Sequence, residues 1–227
     1  MEVIILAGGI GSRLQSVVSD VPKCMAEVAG KPFLHYLFHY LIPFQPERVI
    51  LSLGYKHQIV EKWIATLNLP FEVTTKVEES PLGTGGAIKY ALSAVKGDSA
   101  IVINGDTFFN IDLDQFERFH LFQQAEATIA LKPMTNFERY GSVILDEESK
   151  QIGNFEEKKY CEKGLINGGI YAIRKDALDI FPEKFSMEND YFSRKVAEGK
   201  LSGYISDGFF IDIGIPEDYK RAQSLFK

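Results

Sequence analysis

Val3-Ile4-Ile5-Leu6-Ala7-Gly8-Gly9-Ile10-Gly11-Ser12-Arg13-Leu14 decides the fold of this chain. The four apolar residues 3–6 read as a short buried strand. The glycines at 8, 9 and 11 let the backbone turn and approach a ligand without a Cβ penalty. Successive bare N–H groups in such a turn form an anion-binding concavity, and Arg13 adds a forked positive charge. Strand, glycine turn and cation together are the layout of a phosphate site. Two familiar versions are excluded: no Gly-Lys-Ser/Thr closes the loop as a Walker A motif requires, and Leu14 stands where the dinucleotide fingerprint needs its third glycine.

Outward from this stretch, apolar periodicity alternates between two values. Residues 33–41, 58–67 and 84–95 repeat at three and four as amphipathic helices do. The runs 48–53, 71–77 and 100–103 read as strands. Strands alternating with helices predict a Rossmann-like, doubly wound, mainly parallel sheet flanked by helices. Beyond residue 106 the order changes. A helix at 113–123 is followed by strands at 127–131, 141–145, 151–155 and 165–173, with short helices at 176–181 and 189–198. Strands at 203–206 and 209–213 and a helix at 216–225 complete the chain. This predicts a smaller, β-rich, mixed or antiparallel part that walls a cleft. Without repeats or linkers, the expectation is one domain over 1–227, with lobes at about 1–110 and about 111–227.

A chain of 227 residues can bury a full α/β core, and 45% hydrophobic with 25% charged residues excludes disorder as the default. The net charge of −6 argues against nucleic-acid or anionic-membrane partners, so an anionic ligand must be held by a local cluster. Cys24 and Cys161 give neither metal spacing nor a disulfide framework. With no leader and no membrane-spanning run, the expectation is a soluble, cytoplasmic protein. The 17 Phe and 10 Tyr leave room for an interface between copies, a homo-oligomer.

Ligands of doubly wound sheets bind beyond the carboxyl ends of the strands. Asp106, in Asn104-Gly105-Asp106, follows an apolar strand and should face that edge. Asp212 lies inside the apolar run Phe209-Phe210-Ile211 and Ile213, where an unpaired carboxylate costs desolvation. Two such carboxylates with phosphate oxygens suit Mg²⁺, which prefers octahedral oxygen donors. Lys23, in the loop after the glycine turn, is a candidate partner for phosphate.

These pieces resemble the signatures of the sugar-phosphate nucleotidyltransferases, in order and over nearly the whole chain. They are residues 6–14 with Pro22-Lys23, Glu78-Glu79-Ser80-Pro81-Leu82-Gly83-Thr84-Gly85-Gly86, Asn104-Gly105-Asp106, Phe155-Glu156-Glu157-Lys158, Asn167-Gly168-Gly169-Ile170-Tyr171 and Asp212-Ile213-Gly214. Residues 17–23 and 81–88 look most like the members that join GTP to a heptose 1-phosphate. Two positions depart from the family pattern. Gln15-Ser16-Val17 replaces Pro-x-Thr, and Lys159 replaces a proline, which leaves the subfamily open. The stop at Lys227, without a repetitive β-helix, argues against a second, acyltransferase activity.

The resemblance implies a nucleotide-diphospho-sugar transferase-like fold and the reaction NTP plus sugar 1-phosphate to NDP-sugar plus pyrophosphate. It implies catalytic roles for Arg13, Lys23 and Asp106. Leu6, Ala7, Gly8, Gly9, Gly11, Ser12, Arg13, Glu78, Gly83 and Thr84 would hold the nucleotide. Lys23, Gly141, Glu157, Lys158 and Asn167 would hold the sugar phosphate, and Asp106 and Asp212 would hold Mg²⁺. Glu78 offers two acceptors and no donor, which fits the paired N1–H and N2–H₂ of guanine and favours GTP. The glycines at 83–86 are expected to let the base approach the backbone. Rival expectations are mannose 1-phosphate with GTP, another hexose 1-phosphate with UTP or TTP, and a non-catalytic regulatory subunit of the same fold.

Overall fold

The computed structural model describes residues 1–9 and 20–226. The strands are β1 (Glu2–Leu6), β2 (Glu27–Val28), β3 (Lys31–Pro32), β4 (Arg48–Leu53), β5 (Glu72–Val77), β6 (Ser99–Asn104), β7 (Thr107–Phe109), β8 (Ala127–Phe137), β9 (Ser142–Leu145), β10 (Ile152–Phe155), β11 (Cys161–Arg174), β12 (Leu201–Ile205) and β13 (Phe210–Asp212). The α-helices are α1 (Phe33–Leu41), α2 (His57–Ile64), α3 (Gly83–Leu92), α4 (Leu113–Gln123), α5 (Ser193–Ala197) and α6 (Pro216–Leu225).

Nine strands form one mixed sheet. Its path runs β10-β9-β11-β6-β1-β4-β5, with β8 on β11 and β12 on β8. β6, β1, β4 and β5 are parallel, the expected doubly wound half. β11 then joins β6 antiparallel, so the β-rich half continues the same sheet.

Both faces of β1, β4 and β6 are buried, which is why they read as largely apolar runs, whereas the edge strand β5 is half-exposed and polar. Val3, Ile5, Val49, Leu51, Ile101 and Ile103 pack on one face with α1, Leu113 and Phe116 of α4 and Ala222 of α6. Ile4, Ile50 and Val102 alternate to the other face, against Ile88, Ala91 and Leu92 of α3 and residues 177–192. Asp112 caps α4 through Gln115 N–H at 2.9 Å, and Pro216 starts α6 where a missing N–H costs nothing.

Two local expectations differ from the structure, and one short strand was not foreseen. Residues 176–181 are successive turns rather than a helix, closed by Ala177 N–H to Arg174 and Phe181 N–H to Leu178 before Pro182. The stretch 189–198 is not one helix: a π-helical turn at Met187–Phe192 precedes α5, and the wider turn buries both Tyr191 and Phe192. β7 had too few residues to show periodicity, yet it pairs with β13 and sets Thr107 opposite Asp212.

Candidate active site

The carboxyl ends of the parallel strands collect the polar groups. β1 opens into Ala7, Gly8 and Gly9, and Ala7 N–H bonds to Ser52 O at 2.8 Å, which ties the turn to β4. A Cβ on Gly8 would lie 3.1 Å from Gly54 N and 3.1 Å from Glu78 Oε1, so glycine there lets the turn nest between two strand ends. Gly9 is exposed, and among the described residues nothing lies within 4 Å of where its Cβ would stand. Gly11, Ser12 and Arg13 lie outside the described residues.

Lys23 begins a single 3₁₀ turn, Lys23–Met25, which the buried Cys24 and Met25 anchor. Its ammonium donates to Asp106 Oδ2. Gly105 places that carboxylate: its N–H bonds to Leu6 O at 2.9 Å, and a Cβ would stand 2.5 Å from the same oxygen. Ile213 N–H bonds to Asp106 O at 2.9 Å, and Gly214 N–H to Asp212 Oδ1 at 2.7 Å. The β7–β13 pair thus brings Asp106 and Asp212 together beside Lys23. Among the described residues no group of three or more His, Cys, Asp or Glu side chains could hold a metal ion. Two carboxylates fit a hard cation that takes its remaining ligands from phosphate oxygens and water.

Glu78 is aimed by its neighbours. Leu82 N–H holds Oε2 at 3.0 Å, and the Ser52 hydroxyl lies 3.4 Å from Oε1, the oxygen facing Gly8. Residues 83–86 correct an expectation. They form the first turn of α3, and the space of their missing Cβ atoms is filled by protein. At Gly83 (φ +76°) a Cβ would meet Phe185 O at 2.5 Å, at Gly85 it would strike the Phe185 ring, and at Gly86 the Glu183 carbonyl. Close packing against residues 183–185 therefore accounts for these glycines. The Thr84 hydroxyl is also engaged, donating to Glu188 Oε2 at 2.8 Å and accepting from Met187 N–H at 3.0 Å.

On the antiparallel side, Gly141 fits under Glu156, where a Cβ would sit 2.5 Å from its carbonyl oxygen. Glu157 and Lys158 are exposed just after β10. Asn167 is half-buried and committed to the protein: Oδ1 accepts Gly169 N–H at 2.9 Å and Nδ2 donates to Tyr171 OH at 3.1 Å. These bonds span the register shift between Asn167 and Tyr171, where Gly169 adopts φ +75° against Asn104. The asparagine thereby shapes the strand beside Asn104 and Asp106.

Sequence reasoning passed over two groups here, Ser52 and Tyr140, and quoted Gly214 without a reason for it. Gly214 is buried, and a Cβ on it would collide with Lys23 Nζ. Ser52 is hidden inside an apolar strand. Tyr140 directly precedes Gly141, and burial foremost, with the Asp212 and Asp218 carboxylates behind it, pushes its phenol well above the usual range. It therefore stays a neutral hydrogen-bonding group. Cys24 is no nucleophile, because burial raises its thiol to about 12.

The match to known proteins spans the chain. A model of a family described as nucleotidyl transferase matches residues 2–227. The chain is 47% identical to the D-glycero-alpha-D-manno-heptose 1-phosphate guanylyltransferase of Aneurinibacillus thermoaerophilus, over 98% of this chain and 97% of that one. It is 43% identical to the enzyme of the same name from Campylobacter jejuni, over 96% and 97%. The crystal structure of HddC from Yersinia pseudotuberculosis superposes with a TM-score of 0.90 at 38% identity, over 100% of this chain and 99% of that one. Its complex with GMP-PN gives a TM-score of 0.89.

Proposed function

This chain belongs to the nucleotidyl transferase family, and on that premise we propose that it transfers the guanylyl group of GTP to D-glycero-α-D-manno-heptose 1-phosphate. GDP-heptose and pyrophosphate are the products. The observation that carries the reading is the convergence of Lys23, Asp106 and Asp212 beside the Gly8–Gly9 turn, at the carboxyl edge of the sheet.

The nucleophile is an oxygen of the sugar phosphate, already anionic, so no general base is required. It attacks the α-phosphorus in line, and the bond to the pyrophosphate oxygen breaks. The protein has to bring two polyanions together and stabilise charge as it moves. Lys23 meets the α-phosphate and the sugar phosphate, and Arg13 clamps the leaving phosphates with a planar fork. The N–H groups at Gly8, Gly9 and Gly11, with Leu6, Ala7 and Ser12 flanking them, line the triphosphate. Glu78 accepts from the guanine edge. Lys158 pairs with the sugar phosphate, while Gly141, Glu157 and Asn167 shape the sugar side. Asp106 and Asp212 hold a divalent cation, Mg²⁺ by the hardness of their oxygens, which when bound neutralises and orients the phosphates.

Residues 1–110 form the nucleotide lobe and 111–227 the sugar-phosphate lobe of one domain. Two free thiols, Cys24 and Cys161, suit a cytoplasmic setting, and among the described residues no helix is long and apolar enough to cross a membrane.

Pyrophosphate release, measured for GTP, ATP, UTP and dTTP against heptose, mannose and glucose 1-phosphates, tests this. GTP with the heptose phosphate should give the highest kcat/KM. A preference for mannose 1-phosphate would move the enzyme to the neighbouring substrate class. A preference for UTP or dTTP would overturn the Glu78 assignment, and no turnover with any pair would leave a regulatory subunit.

A further inference from the structure

Lys23 is held more tightly than a lysine waiting for a phosphate needs to be. Its backbone is fixed by a turn whose next two residues are buried, and Ala26 N–H bonds back to Lys23 O at 3.0 Å. Its ammonium donates to Asp106 Oδ2 and also reaches the space over Gly214, where a Cβ would collide with it. The same Cβ position lies 2.8 Å from Asp212 Oδ1, the oxygen that Gly214 N–H already grips. The ammonium thus stands over a glycine floor between the carboxylates assigned to the divalent cation. Only 19% of the Lys23 side chain and 29% of that of Asp106 are exposed, so water screens the pair poorly.

An ammonium and a divalent cation cannot share this space, because both need the same carboxylate oxygens and repel each other at a few ångströms. We propose that Lys23 is the built-in counter-ion of these two carboxylates, and that a divalent cation enters only as Lys23 swings away. This rests on the assignment of Asp106 and Asp212 under the proposed function. The triphosphate offers the displaced ammonium a new anionic partner, so nucleotide and metal help each other to bind. That mutual help is a coupling free energy and is reciprocal. The metal alone must compete with Lys23 and binds weakly; the metal with nucleotide binds well. Gly214 acquires a reason in the same picture, since any side chain there would expel the ammonium.

Mn²⁺ binding to nucleotide-free protein, followed by the electron-spin-resonance signal of free Mn²⁺, tests the proposal without any turnover. Lys23→Met and Lys23→Gln, each checked by circular dichroism and melting, should bind Mn²⁺ at least ~10-fold more tightly than the parent, within the usual range of coupling between two ligands. Adding a non-hydrolysable GTP analogue should narrow that gap, because in the parent Lys23 has then already moved. Equal or weaker Mn²⁺ binding in both folded variants would overturn the proposal. The double variant Lys23→Met/Asp106→Asn separates the two layers. Loss of the gained affinity supports both, whereas a gain that persists puts the metal elsewhere and sinks the carboxylate assignment itself.

Discussion

The two ends of the sheet both carry ion pairs, and they are built differently. At the amino-terminal ends of the parallel strands, Lys195 is only 3% exposed and sits 2.8 Å from both Glu126 and Glu198. Each carboxylate has a second cation, Lys200 for Glu126 and Arg194 for Glu198. Hydrogen bonds from Lys195 and Arg194 hold the Glu198 carboxyl down at about 2. At the carboxyl ends, among the described residues, the Lys23 ammonium donates to Asp106 and lies beside Asp212, and glycine at 214 keeps a side chain out of the space between them. The first arrangement saturates its charges and stabilises the fold. The second stands at the sheet edge where ligands of such folds bind, with an ammonium and two carboxylates meeting over a glycine. A charge cluster becomes a candidate site through its place in the fold and the space kept clear beside it rather than through the number of charges.

Substitutions can break this contrast from either side. The largest effect belongs to the carboxyl edge: Asp106→Asn should lower turnover by at least ~100-fold, the scale of losing one strong electrostatic contact, with little change in melting temperature. Near-normal kcat at saturating Mg²⁺ would end its assignment. On the opposite edge, Lys195→Met should cost stability instead, by about 2 kcal/mol in denaturant melts. That is below the 3–5 kcal/mol of an uncompensated buried charge, because Glu126 and Glu198 each keep another cation. Its kcat should stay within about twofold, far below the ~100-fold set for a site residue.

His120 gives the amino-terminal edge a pH signature of comparable size. Its Nδ1 lies 2.8 Å from Thr128 Oγ1, and burial first, with Arg174 second, lowers its pKa from 6.5 to about 4. The unfolded chain takes up that proton near pH 6.5 and the folded chain only near 4, so stability is full above 6.5 and falls as pH drops through this window. The loss should reach about 2–3 kcal/mol. His120→Gln should flatten the melting-temperature profile between these pH values, while the pH profile of kcat keeps its shape. The smallest effect is expected at Lys158, which is exposed. Lys158→Ala should raise KM for the sugar phosphate about tenfold, or ~1.4 kcal/mol, and leave KM for GTP unchanged. Parallel rises in both constants would remove it from the sugar side.

The elements that were legible in sequence are those whose signal is local and long enough. Residues 33–41, 48–53, 113–123 and 216–225 form helix or strand over those same bounds, because a period of 3.6 or 2 shows itself over eight or so residues. β7, with three residues, has no period to read, and its partner strand β13 explains it only from across the chain. The glycines at 83, 85 and 86 were legible as a motif but not by cause. Phe185 and Glu183, about a hundred residues on, fill the space those glycines leave.

By itself the sequence determined the kind of sheet and the strand end at which Asp106 stands, because strand ends and glycine turns are written in consecutive residues. Tertiary structure alone decided that Asp106 and Asp212 stand side by side and that Asn167 spends its amide on Gly169 and Tyr171. It also put the Lys23 ammonium over Gly214 between the two carboxylates. Those facts depend on strand pairing and packing between segments far apart in the chain, and periodicity within one segment carries no information about its distant partner.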